Sequence, residues 1–332
     1  MLLPLGGWLG GAWTFIGAAA TPLCLTSLDA ALGDDRSTPD RTNETSARWL
    51  PRVYIILQLA ATAWAAIVVA RPSTSLLEAA GLAVSAGVTT GVFGFVAAHE
   101  MIHSRDRRER ALGLALLGSV FYMHFRIAHV YGHHRRAATL EDPASARLGE
   151  GLYSFLVRSV AGQVREAWAF EKRRRTRAGR RPIGLGNRMI GYIAIEALFL
   201  LGIAVVSGRA FAFFITTALV AVALLESFNY VAHYGLNRRA GPDGRLEPLG
   251  PQHSWNSGRR MNNAALFNMG RHSDHHRRTT RRYERLNALD GAAELPSGYA
   301  GALLMSFIPP LWRRVMDPRA EAVMAGKLGE EV

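Results

Sequence analysis

The sequence predicts an all-α, polytopic membrane helical bundle of about five or six transmembrane helices, with a helical cap on the cytoplasmic side, and three observations carry that reading. Apolar residues make up 49% of the 332 and gather into long uncharged runs. The 39 Lys and Arg, against 26 Asp and Glu, collect between and after those runs, as they do in loops that obey the positive-inside rule. A mean hydropathy of +0.07 lies between soluble and membrane proteins, so distribution decides and composition does not.

Residues 2–32 form the first apolar stretch, too long and Gly-rich for a signal-peptide core, and it ends at Asp34 and Asp35 without a cleavage site; it reads as a span. After a polar stretch, residues 53–70 make a second span closed by Arg71 and Pro72, and 73–98 make a third. The few residues between them require a hairpin with an external, cation-poor turn, which puts His99 on the cytoplasmic side. The run 111–125 is shorter than the roughly 20 residues a crossing needs and is expected as a half-buried or re-entrant helix. Residues 189–206 and 210–230, joined through Ser207, Gly208 and Arg209, bring the crossings to five. That parity puts the N-terminus outside, unless 2–32 doubles back as two short helices. Residues 299–312, broken by Pro309 and Pro310 and followed by Arg313 and Arg314, suggest an interfacial segment. The expectation is one integral-membrane domain over 1–332, with cytoplasmic regions at 99–188 and 231–332.

A net charge of +13 and a pI near 10.7 would in a soluble protein point to nucleic acid. Arginine beside apolar spans instead suits membrane orientation and anionic lipid headgroups, and no nucleic-acid motif is present, so the expected surface partner is lipid. Lys172, Arg173, Arg174, Arg175, Arg177, Arg180 and Arg181 form the densest basic cluster. Cys24 is the only cysteine, which excludes an intrachain disulfide and a cysteine-held iron–sulfur or rubredoxin-type site. Its apolar neighbours predict a small buried side chain.

Any metal must therefore sit on histidine or carboxylate. Nine of the 11 histidines fall in four clusters: His99 and His103; His129, His133 and His134; His233; and His272, His275 and His276. Spacings of three and four place rings on one helix face a turn apart, which lets two imidazoles reach one metal. Three clusters stand at the cytoplasmic ends of apolar helices, where termini can converge, and only that at His272 needs the soluble region to fold back. Nine ligands exceed one tetrahedral zinc site and suggest two metals. Imidazoles suit iron, copper or zinc, and redox chemistry at a membrane-facing pocket favours iron. His99-Glu100-x-x-His103 also matches a zinc-protease helix, but such an enzyme leaves at least five clustered histidines unexplained.

The stretches HEMIHSRDRRERALG from His99, HVYGHHRRAATLEDPASARLGE from His129, NYVAHYGL from Asn229, and HSWNS with LFNMGRHSDHHRR from His253 resemble, in order, the histidine boxes and connecting motifs of the integral-membrane alkane monooxygenases within the fatty-acid desaturase and hydroxylase superfamily. The resemblance runs over about residues 50–286. It implies that the nine clustered histidines bind two non-haem irons without a bridging carboxylate, and that His124 and His253 serve packing or support. It implies a bacterial inner-membrane enzyme that hydroxylates a hydrophobic substrate drawn from the lipid phase, using O2 and electrons from a rubredoxin or ferredoxin with its NAD(P)H-dependent reductase. The family usually has Glu where this chain has Ala128 and Ala232, next to His129 and His233. Carboxylates able to orient the imidazoles remain at Glu100, Asp142, Glu226 and Asp274, and Asn229 and Tyr230 can bond His233 or end its helix. The basic cluster at 172–181 can dock an acidic carrier or lipid headgroups. Alternatives on the same ligands are a desaturase, an aryl-methyl hydroxylase, or a non-catalytic metal- or lipid-binding membrane protein.

Overall fold

The structure, a computed structural model, describes residues 2–37 and 47–327. These are mostly helical; among them the named strands are one parallel pair, β1 (Trp255–Asn256) and β2 (Ala293–Glu294). Among the described residues, five helices are long and apolar enough to cross a membrane: Gly11–Leu32, Trp49–Ala70, Leu76–His103, Arg188–Val206 and Gly208–His233. They coincide with the five apolar runs, except that the first is divided. Helix α1 (Leu2–Leu9) stops where Gly10 and Gly11 adopt φ of 71° and 53°, and a tight turn (Gly11–Phe15) leads into α2 (Ile16–Leu32). Left-handed backbone disfavours any residue with a Cβ, so the glycine pair permits the break. Cys24 is exposed on this span, contrary to the buried position expected of it.

Helices α3 (Trp49–Ala70) and α4 (Leu76–Thr89) form the expected hairpin. At its turn Ser75 Oγ accepts from Glu78 N (3.2 Å) while Glu78 Oε2 accepts from Ser75 N (2.9 Å), a reciprocal cap that fixes where α4 starts. A π turn, Thr90–Gly94, joins α4 to α5 (Phe95–His103). Helix α6 (Arg107–Gly118), which covers only the first part of the short apolar run, then returns alongside α5: a Cβ on Gly113 would lie 3.0 Å from Ala98 O, and Leu116 packs on Gly94. Next come α7 (125–136), α8 (Leu152–Arg177), α9 (Arg188–Val206) and α10 (Gly208–His233). Small residues bring α4 against α10, where a Cβ on Gly87 would sit 2.6 Å from Val220 Cβ. The chain closes with α11 (Arg260–Ala265), α12 (His272–Arg277), α13 (Tyr299–Ser306) and α14 (Pro309–Met324).

The described residues form two compact units interleaved along the sequence: one of residues 2–24, 47–128 and 164–225, the other of 25–37, 129–163 and 226–327. The first has a core of small and aromatic side chains, among them Ala65, Leu82, Ala86 and Phe213. The second is built on stacked aromatics. Phe228 and Tyr299 lie 4.4 Å apart, and Trp312 packs on Tyr230 and Tyr234 at 5.4 and 5.3 Å. Within residues 299–312, Tyr299 and Trp312 are buried in this core while Leu304, Ile308 and Leu311 stay exposed; Pro309 begins α14, where a missing N–H costs nothing.

Candidate metal centre

In the second unit, seven histidines from three helices are brought together in two groups. The first group comprises His133 from α7, His233 at the end of α10, and His272 and His276 from α12, with ligand nitrogens all within 4.8 Å of one another. His272 Nε2 lies 3.2 Å from His233 Nε2 and 3.0 Å from His276 Nε2. All four are buried. The second group comprises His129 and His134 from α7 and His275 from α12; His134 Nε2 lies 3.0 Å from His129 Nε2 and 3.3 Å from His275 Nε2. In the first unit, His99 and His103 stand on successive turns of α5 with ring centroids 4.6 Å apart.

The winding of α7 decides which rings meet. From Ala128 to His133 it is a π turn, in which hydrogen bonds run from i to i+5. Residues five apart therefore share a face, so His129 pairs with His134. His133 turns toward His233 and His276, 4.8 Å from each ring centre. The four-residue spacing of His129 and His133, which in an α-helix predicts a shared metal, is overridden. On α12 the spacing rule holds for His272 and His276, and His275 projects to the other group.

The donor set fits a metal. With a metal–nitrogen distance of about 2.1 Å, neighbouring ligands lie roughly 3.0–3.4 Å apart and opposite ones about 4.2 Å. The nitrogen pairs at 3.0–3.3 Å around His272 and His134 fall in the first of these ranges. His133 Nδ1 is 2.7 Å from Asp142 Oδ2, which leaves Nε2 as the free lone pair, and that atom is buried without a hydrogen-bond partner. Converging, dry imidazole lone pairs are unfavourable unless a cation sits among them. Burial, with the neighbouring histidines, pushes the His272 and His276 rings well below the ordinary imidazole range, so both stay neutral and able to ligate. Burial by itself would raise Asp142, but His133 and the Ser145 hydroxyl hold it below the usual carboxylate range, and it remains ionised. Among divalent ions, an all-imidazole set suits iron, zinc or copper.

The expected supporting residues fare differently. Asp142 Oδ2 meets His133 Nδ1 at 2.7 Å. Asp274 does not meet an imidazole: its carboxylate accepts from Arg281 Nη1 (2.7 Å) and Asn287 N (2.9 Å), and so anchors the loop after α12. Glu226 accepts from Ser159 Oγ (2.6 Å), Gln163 Nε2 (2.8 Å) and Asn229 Nδ2 (3.3 Å), a buried cluster on the turn before His233. Asn229 thus serves Glu226, and Tyr230 donates to Glu150 O (2.6 Å). Glu100 is half-buried between the α5 histidines. Ala128 and Ala232 are buried. His253 stands outside both groups, accepting from Gly250 N at Nδ1 (2.8 Å) and meeting Glu247 at Nε2 (3.1 Å), and His124 packs on Tyr122.

Two supports had not been singled out from the sequence. Asn256 grips Ser273 from both sides, Nδ2 donating to its Oγ (2.7 Å) and Oδ1 accepting its N–H (2.9 Å), which fixes α12 from β1. Ser145 donates to Asp142 Oδ2 (2.7 Å) and accepts from Ala138 N (3.0 Å). The HSWNS and RHSDHH stretches contain the first pair, but no spacing links them.

Comparison with known proteins adds an independent line. The model of the fatty acid desaturase family matches residues 73–303. Alkane 1-monooxygenase 2 of Pseudomonas aeruginosa is 37% identical over 98% of this chain and 90% of its own length. Alkane 1-monooxygenase 1 of the same organism is 40% identical over 90% and 81%. The xylene/toluene monooxygenase hydroxylase component of Pseudomonas putida is 29% identical over 93% and 82%.

Proposed function

We propose, because this chain belongs to the fatty acid desaturase family and groups with its alkane 1-monooxygenases, that this membrane oxidoreductase hydroxylates an unactivated C–H bond of an alkane or alkyl chain with O2. The observation that carries the reading is the dry convergence of His133, His233, His272 and His276 with no carboxylate among them. We assign these four, with His99, His103, His129, His134 and His275, as ligands of two non-haem irons; His99 and His103 enter on their sequence motif alone. When bound, the irons supply the two-electron activation of dioxygen and the oxidising power that such a bond demands.

The rest is done by the chain. Asp142 holds His133 in the tautomer that presents Nε2. Burial keeps His272 and His276 neutral, Asn256 holds α12 at its start, and Asp274 anchors the loop that follows it. Apolar spans admit a hydrophobic substrate from the lipid phase. Residues 1–332 hold one cysteine and no nucleotide fingerprint, so the reading draws electrons from a rubredoxin or ferredoxin served by an NAD(P)H-dependent reductase. Lys172, Arg173 and Arg177 are exposed on α8 and offer an acidic carrier a docking face on the cytoplasmic side of a bacterial inner membrane. The similarity to the xylene/toluene enzyme favours aryl-methyl hydroxylation as the second reading.

The test is expression in membranes with a ferredoxin and reductase, a panel of alkanes, alkyl-aromatics and fatty acyl esters, and product identification by mass. Alcohols that require O2 and reductant are expected from the alkanes. Alkenes, benzylic alcohols alone, or no product would each replace the reading.

A further inference from the structure

The first unit contains a second ligand-sized feature. A pocket of about 600 Å³, within the size range of small-molecule sites, is walled by α3, α6, α9 and α10. One face of α6 forms its floor: Ala111, Leu114, Ala115 and Gly118 follow at helical spacing. Two hydroxyls line it, and both are engaged within the walls. Ser119 Oγ donates to Leu116 O (2.6 Å), and Thr62 Oγ1 accepts from Gln58 Nε2 (3.4 Å). With one hydroxyl bonded within its own helix, the other only 3.4 Å from Gln58 Nε2, and the rest of the lining apolar, the occupant inside is hydrocarbon.

The mouth and the far end say which hydrocarbon. Ile195 and Phe199 line the pocket from a membrane-spanning helix and are exposed, so access is from lipid. Continued back by one turn, the α6 stripe reaches Arg107, which is exposed, has no ion-pair partner among the described residues, and lies four residues beyond the end of the span Leu76–His103. At about 1.5 Å per residue, Arg107 to Gly118 covers roughly 16 Å, close to the ~15 Å of one hydrocarbon leaflet. We propose that this pocket holds an acyl chain of an anionic phospholipid whose phosphate pairs with Arg107. Through α6, the bound chain backs α5, because Gly113 on the opposite face of α6 abuts Ala98 and Met101.

To test this, a phosphatidylglycerol with an aliphatic diazirine in one acyl chain is photolysed with the full-length purified protein, and the labelled peptides are mapped. Label is expected on residues 111–119 and 195–199. Ala115→Trp, and separately Ala63→Trp, should abolish it there, whereas Leu76→Trp, on an exposed face elsewhere, should leave it. Arg107→Gln should reduce the preference for phosphatidylglycerol over phosphatidylcholine about fivefold, the effect of one basic residue at a membrane surface. The proposal is overturned by labelling that both Trp variants leave intact, by equal competition from the two lipids against wild-type protein, or by displacement with a free alkane but not with phospholipid. Labelling needs neither metal nor reductant, so its failure is distinct from failure of the hydroxylase reading.

Discussion

Replacing Asp142 by Asn should weaken metal binding at the four-histidine group while leaving the chain folded. The carboxylate is buried and holds His133 Nδ1 at 2.7 Å, with Ser145 Oγ at 2.7 Å and Ala144 N at 3.2 Å as further donors. Asparagine has nearly the same volume and keeps a carbonyl oxygen for Ala144 N. It loses the charge, and with its amide toward His133 it favours the tautomer that protonates Nε2, the atom aimed at the metal. A hydrogen bond to a charged group contributes about 1.5–3 kcal/mol, which corresponds to about 10–100-fold in affinity, the usual cost of removing a ligand's orienting partner. Metal retained against a graded chelator series measures the affinity, and near-ultraviolet circular dichroism checks the fold. Wild-type affinity in a folded Asp142→Asn protein would refute the orienting role. Ser145→Ala, which removes only a neutral donor to the same oxygen, should have a smaller effect.

His276→Ala should abolish metal retention and turnover together, because no neighbouring group can replace the donor, while His253→Ala should lose stability but keep its metal; metal analysis of both variants decides. Gly87→Val should destabilise the first unit by about 1–3 kcal/mol, since α4 cannot approach Val220 with a larger residue; thermal unfolding in detergent reads this out, and an unchanged midpoint would contradict the packing. Glu171 gives a pH dependence. Burial would raise its carboxyl, but hydrogen bonds from Arg174 and Arg188 outweigh that and hold it at about 2 instead of 4.5, so its contribution is full above pH 4.5 and is lost as pH falls toward 2. Glu171→Gln should flatten that acid limb in unfolding measurements across the same range.

The spans were legible because long uncharged runs have one stable solution in a bilayer. The histidine clusters were legible because chemistry concentrates a rare residue. What the sequence hid was geometry. Nothing in Ala128–His133 announces a π turn, so the spacing rule pairs His129 with His133, whereas His129 Nε2 lies 3.0 Å from His134 Nε2 and His133 groups with His233, His272 and His276. Gly10 and Gly11 were visible as glycines, but only their positive φ shows that they end a helix. Asp274 sits inside a ligand triplet, yet its direction is set by Arg281 and Asn287, residues whose proximity depends on a loop that local pattern does not predict. The prolines at 309 and 310 read as an interruption; they are the start of a helix whose Trp312 is buried against Tyr230 and Tyr234, a contact that no local pattern announces.

Whether metal sits on imidazole nitrogen in the second unit is best examined by X-ray absorption at the iron edge of the purified protein, with wild type beside His276→Ala. A first shell made of nitrogen at about 2.1 Å, with imidazole multiple scattering that vanishes or falls sharply along with the iron content in the variant, is the expected spectrum. An oxygen-dominated shell, or iron retained unchanged by His276→Ala, would contradict it.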